Sequence, residues 1–163
     1  MGFNLIALDG ADAVGEASAE RLLHHRLRQP ERPLGLATGR TIEPVYRALA
    51  ARTAALPHSG LLRLRRQWTS FKLNEYVGLG PGDPRSFATE MPERLVMPLG
   101  LDPRQVRQPD GRPPDPDLEA RRYATELATA GGFGLQLFGL GLNGHVAFNE
   151  PPVVQGPAAA AWS

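Results

Sequence analysis

Apolar positions along this chain switch repeatedly between a strand-like and a helical period. Residues 3 to 8, "FNLIAL", form a short apolar run that predicts a first strand. "ADAVGEASAERLLHHRLRQ" then spaces Ala13, Ala17, Leu22, Leu23 and Leu27 as one face of a helix. The unit repeats: "PLGLAT" at 33 to 38 predicts a strand, and "TIEPVYRALAART" predicts a helix with Pro44 in its first turn and Thr41 as N-cap. Alternation of Trp68, Ser70 and Lys72 with Thr69, Phe71 and Leu73 predicts a strand ending near residue 73, followed by the turn-forming "GLGPGDP". "SFATEMPERLVMPLG" reads as a helix interrupted near Pro92 and closed by Gly100, and "RQPDGRPPDPD" as a loop. "LEARRYATELATAGG" reads as a helix stopped by glycine, and "FGLQLFGLGLNGH" as an apolar strand running into a glycine loop.

Strands that alternate with helices predict an α/β protein, Rossmann-like and three-layered (α/β/α), with a mainly parallel sheet and ligands beyond the carboxyl ends of the strands. The loops at 38 to 41, 74 to 79 and 141 to 150 all follow predicted strands and are the candidate site loops. A length of 163 residues with 42% hydrophobic content suits one domain, placed at 1 to 151, ahead of a Pro- and Ala-rich tail at 152 to 163.

Charge narrows the function. With 18 Lys+Arg against 17 Asp+Glu and 7% aromatic residues, the chain lacks the basic field that a nucleic acid partner requires. No cysteine is present, which removes thiolate chemistry and suits a reducing cytoplasm. No basic start followed by a long apolar run opens the chain, and no apolar segment approaches the roughly 20 residues needed to span a membrane, so a soluble cytoplasmic protein without a membrane partner is expected. His24, His25 and His58 follow no metal-ligand spacing, so no metal is expected.

Two stretches carry candidate chemistry. "ATGRT" at 37 to 41 offers backbone N–H groups, two hydroxyls and a helix N-terminus to an anion, although such a turn also serves as a plain capped helix start. "GLGLNGHVAFNEP" combines close-approach glycines with His145, which can move a proton near neutral pH, and Glu150, which can orient it. A histidine after a strand also serves as a structural hydrogen-bonding residue.

Three blocks, "LGLATGRTIEPVYRAL", "FKLNEYVGLGPGDPRSF" and "GLGLNGHVAFNEP", resemble in order and spacing the signature regions of the glucosamine-6-phosphate deaminase (isomerase) family. The related 6-phosphogluconolactonases share the fold and a Gly-His loop, but have an Asp-Glu-Arg stretch in the second block and an Ala-Ser-Leu-Phe type ending in the third. "NEYVGL" and "AFNEP" favour the deaminase branch. The resemblance implies conversion of glucosamine 6-phosphate and water to fructose 6-phosphate and ammonia without metal or organic cofactor. It implies phosphate binding by Thr38, Gly39, Arg40 and Thr41, ring opening assisted by His145, and support of that histidine by Glu150.

Two departures accompany the resemblance. Where the family has Asp-Glu-Tyr, with the Asp abstracting the C2 proton, this chain has Asn74-Glu75-Tyr76, and an amide has no useful basicity near pH 7. Glu75 is the adjacent carboxylate, but in extended backbone it faces away from Asn74. Asn143 occupies a position that is Asp or Asn in the family. Members also continue well past the Asn-Glu-Pro segment, so the expected fold is incomplete at the C-terminus, with an uncovered sheet edge that invites self-association into a homo-oligomer. An active deaminase, a 6-phosphogluconolactonase-type hydrolase, a silent sugar-phosphate binder and a gene remnant are the alternatives left open.

Overall fold

The computed structural model describes residues 4–152. In chain order the elements are α1 (Ala11–Arg28), β1 (Leu34–Leu36), α2 (Glu43–Ala54), α3 (His58–Gln67), β2 (Ser70–Lys72), α4 (Phe87–Met91), α5 (Met97–Leu99), β3 (Val106–Arg107), α6 (Pro116–Thr129) and β4 (Leu135–Gln136). A π-helical turn, Pro92–Val96, joins α4 to α5 where Pro92 interrupts the regular ladder. The four strands form one parallel sheet in the order β3-β2-β1-β4. This is the predicted α/β architecture.

Register divides the sheet into two faces. Leu34 pairs with Ser70 and Leu36 with Lys72, so these four side chains share one face, while Gly35 and Phe71 share the other. On the first face Leu34 and Leu36 join a buried cluster with Ala19 and Leu22 of α1, Val45 and Leu49 of α2, Leu64 of α3, and Met91, Leu95 and Leu99 around the π turn. α1 and α2 approach closely because Gly15 has no side chain, and a Cβ there would collide with Pro44. On the second face Phe71 meets Tyr123 of α6 and Phe133 with ring centroids 5.6 and 6.4 Å apart. α6 starts where Asp115 accepts hydrogen bonds from the backbone N–H groups of Asp117 and Leu118, yet it buries none of its residues fully.

Several expectations change. Residues 4 to 8 of the expected first strand pair with nothing in the sheet and leave Leu5 87% exposed; residue 3 lies outside the described residues. The buried face of α1 is Gly15, Ala19, Leu22, Leu23 and Arg26, rotated from the expected alanine stripe. Arg26 can be buried because its guanidinium donates to the carbonyls of Pro30, Arg32 and Gln67, so both terminal nitrogens find acceptors. α3 and β3 were not anticipated. α3 is short, with arginines interleaved among its leucines and Leu64 as its one buried residue, and β3 is two residues long and ends at Arg107, the first residue of the expected loop. The Pro- and Ala-rich tail lies outside the described residues beyond Pro152.

Candidate active site

β1 lies between β2 and β4, so the chain leaves β1 toward one side of the sheet and later returns to its other side. Such a reversal opens a crevice beyond the carboxyl ends of the central strands. A cleft of about 420 Å³ occupies it, lined by Ala37, Thr38 and Thr41 after β1, Leu73 and Asn74 after β2, and Leu140, Gly141, His145 and Phe148 after β4.

The β1 wall is anchored from the core. Tyr46 of α2 is buried and its hydroxyl donates to the Ala37 carbonyl at 2.5 Å, fixing the chain where it leaves the strand. The turn then needs Gly39, whose φ of 118° is unfavourable for a residue with a side chain. Thr41 was expected to cap α2, but no side-chain cap is formed at that helix and the N-cap residue is Ile42. Thr41 lines the cleft instead. Thr38 lines it too, and its buried Oγ1 has no hydrogen-bond partner among the described residues. A buried hydroxyl without a partner costs on the order of 1–3 kcal/mol, which a ligand oxygen in the cleft would relieve. Gly39 and Arg40 shape the turn and do not line the cleft.

The β2 wall carries Asn74, whose Oδ1 accepts a hydrogen bond from Lys72 Nζ at 2.8 Å. Lys72 is 1% exposed, with its ammonium 4.1 Å from the Phe87 ring centroid. Burial lowers its pKa to about 8, with the charges of Glu75 and Glu90 opposing the shift. Glu75 turns the other way. Its carboxylate accepts from the Ser86 hydroxyl at 2.8 Å and from the Ala88 N–H at 2.9 Å, so it ties the loop to the start of α4 and does not line the cleft.

The β4 wall is a tight loop. Gly141 N–H donates to the His145 carbonyl, and Ala147 N–H to the Gly139 carbonyl. The imidazole of His145 lies against Gly141 so closely that a Cβ there would overlap it. Ala147, in the same loop, takes a left-handed φ of 55°, a strain on the order of 1 kcal/mol. Phe148 secures the loop by packing on Tyr76 at 5.1 Å and on Phe87 at 6.0 Å, which joins the loops after β2 and β4.

Asn143 stands between His145 and Glu150. Its Oδ1 lies 2.7 Å from His145 Nδ1, and its Nδ2 donates to Glu150 Oε2 at 2.7 Å. Glu150 Oε1 is 3.5 Å from Nδ1. An amide oxygen only accepts, so the neutral imidazole carries its proton on Nδ1 and keeps a basic lone pair on Nε2. The loop thus presents a histidine in one tautomer, ready to accept a proton at Nε2.

Of the residues singled out in the sequence, the fold brings Thr38, Thr41, Asn74 and His145 to one cleft, and sets Asn143 and Glu150 behind the histidine. Sequence reasoning passed over Lys72, Tyr46 and Phe148. Lys72 left a trace, being a charged residue inside an otherwise apolar strand pattern.

A polar-dotted cleft at the switch point of a parallel sheet, with the turn after β1 on one wall and a histidine-bearing loop on another, is the kind of crevice in which α/β proteins hold small ligands. A family profile described as glucosamine-6-phosphate isomerases/6-phosphogluconolactonase matches residues 9–153, and the chain belongs to that family. It is 36% identical over 147 residues to a glucosamine-6-phosphate deaminase of Pseudarthrobacter chlorophenolicus, covering 90% of this chain and 54% of that protein. It is 37% identical to a second, of Streptomyces coelicolor, with the same coverage. The structure of a monomeric glucosamine-6-phosphate deaminase superposes with a TM-score of 0.80 at 31% identity, covering 90% of this chain and 58% of that one. A 6-phosphogluconolactonase of Thermotoga maritima superposes with a TM-score of 0.65 at 26% identity, covering 87% and 61%. The chain spans about half the length of the curated relatives it matches.

Proposed function

We infer that the cleft binds a hexose 6-phosphate and belongs to a glucosamine-6-phosphate deaminase type of site, of the class that yields fructose 6-phosphate and ammonia. The observation that carries this reading is the convergence of Thr38 and Thr41 with His145 across one cleft, including a buried Thr38 hydroxyl with no partner among the described residues. The phosphate takes the turn after β1, where Thr38, Gly39, Arg40 and Thr41 supply hydroxyls and backbone N–H groups. His145, held as the Nδ1–H tautomer by Asn143 and backed by Glu150, takes the proton of the C1 hydroxyl at Nε2 and delivers it to the ring oxygen as the C1–O ring bond breaks.

Proton abstraction at C2 is the deficient step. Asn74 is an amide, and Glu75 is committed to α4, so no carboxylate from this block faces the cleft. Loss of a positioned base removes about 10² to 10⁴ in rate. The direct test is release of ammonia and fructose 6-phosphate by the purified chain given glucosamine 6-phosphate. Turnover at least about 100-fold below that of a full-length deaminase is expected, with partial recovery in Asn74→Asp. Normal turnover by the unmodified chain would refute the assignment of a defect to Asn74.

The same reading places the protein in the cytoplasm, in keeping with its lack of cysteine. It also assigns self-association to the open sheet edge at β4. Among the described residues no helix is long and apolar enough to cross a membrane.

A further inference from the structure

Lys72 is a buried amine one hydrogen bond behind the cleft wall. It makes no salt bridge among the described residues; its partners are the Asn74 amide oxygen at 2.8 Å and the face of Phe87. Lysine only donates when protonated, so this contact determines which way the Asn74 amide faces. Oδ1 is engaged by the ammonium, and Nδ2, which donates to nothing among the described residues, is left to a cleft that Asn74 itself lines. The amine still holds its proton at neutral pH, since burial brings its pKa only to about 8.

A ligand group set against this wall therefore meets two N–H donors with a positive charge behind them. An amino substituent, protonated and donor-only, is mismatched in both hydrogen bonding and charge. A hydroxyl, carbonyl or developing oxyanion is matched in both. We propose that Lys72 is a positioning residue that turns the Asn74 amide donors into the cleft, so that the site prefers hexose phosphates bearing oxygen beside C1 over those bearing an amine. This rests on the proposed reading of the cleft as a sugar-phosphate site with C2 set against Asn74, and it concerns the substituent that the site selects there.

The test is equilibrium binding of fructose 6-phosphate, glucose 6-phosphate and glucosamine 6-phosphate to the purified chain and to Lys72→Met, each first shown by a cooperative thermal melt to be folded. The unmodified chain is expected to bind the two oxygen sugars about tenfold or more tightly than the amino sugar, the scale of one hydrogen bond to a charged group. In Lys72→Met the amide is free to turn, and the ratio should fall toward one while overall binding persists. Asn74→Asp is a second variant that does not depend on the first. An anion at 74 should shift the ratio toward the amino sugar. Equal affinities in the unmodified chain, or a ratio unmoved by Lys72→Met, would overturn the inference and leave the sugar-phosphate site standing. Failure of all three sugars to bind would overturn that site as well.

Discussion

The two faces of the sheet are built to different standards. On one, α1, α2, α3 and the α4–α5 segment bury Leu34, Leu36 and the cluster around them. On the other, α6 alone covers Phe71, buries none of its own residues fully, and leaves a hollow of about 470 Å³ lined in part by Tyr123, Leu127, Phe133 and Phe138. The cleft draws its walls from both. Thr38 and Asn74 are set by central strands with a packed core beneath them, whereas His145 rides on a loop after the edge strand β4, stabilised by its own hydrogen bonds and by Phe148. Thr38 and Asn74 thus take their positions from the closed face, and His145 takes its position from local loop chemistry.

The largest blow to this contrast should come from Leu36→Ala. Leu36 is fully buried on the closed face, and its truncation should cost about 2–5 kcal/mol in denaturant unfolding. A cost below 1 kcal/mol would show that the closed face is not the stable half.

Lys72→Met should act in the opposite direction, stabilising the fold at pH 7 by about 1–3 kcal/mol, because it removes a buried charge whose hydrogen-bond partner is a neutral amide. The pH dependence has a definite sign. The folded pKa, about 8, lies below the unfolded value, so at pH 7 both states hold the proton and the native state bears its cost. As pH rises from about 8 to about 10.4 the native amine is free of its proton while the unfolded one still binds it, and the unmodified chain gains stability. The advantage of Lys72→Met should shrink over that window. Glu75 on the loop and Glu90 on α4 act against the shift, and Tyr123 of α6 touches Lys72 only through its backbone carbonyl. Parallel unfolding curves for the two proteins from pH 7 to 10 would refute this account.

Gly141→Ala should change stability little and ligand binding more. Its Cβ would displace the imidazole, so affinity for a sugar phosphate should fall by about 1–2 kcal/mol, read by calorimetry beside an unchanged melting temperature. The smallest effect is expected at Leu118→Ala on α6. That side chain is 63% exposed, and its removal should alter stability by no more than about 0.5 kcal/mol. A large loss there would mean that the thinly covered face is sealed after all, by contacts beyond those described.

Much of this was legible in the sequence. Period changes marked β1, α2, α4 and α6, because each sits beside punctuation by proline, glycine or a capping residue. The glycines and polar groups of "ATGRT" and "GLNGH" marked two cleft walls. Short elements were missed: α3, ten residues with Leu64 as its single buried side chain among arginines, and the two-residue β3. Residues 3 to 8 misled in the reverse sense, since an apolar run makes a strand only when a sheet edge accepts it, and residues 4 to 8 pair with none.

By itself, then, the sequence determined the alternation of strand and helix, the family, and the presence of an amide at position 74, because these depend on residue type and order along the chain. Only the tertiary structure decided what the neighbours of Asn74 do. The path of the backbone beyond the end of β2 brought the Lys72 ammonium and the Asn74 amide into hydrogen-bond contact and sent Glu75 to the start of α4, and the folding of the glycine loop placed Asn143 between His145 and Glu150. Which atom of an amide meets the ligand depends on contacts across the fold, and no local spacing encodes them.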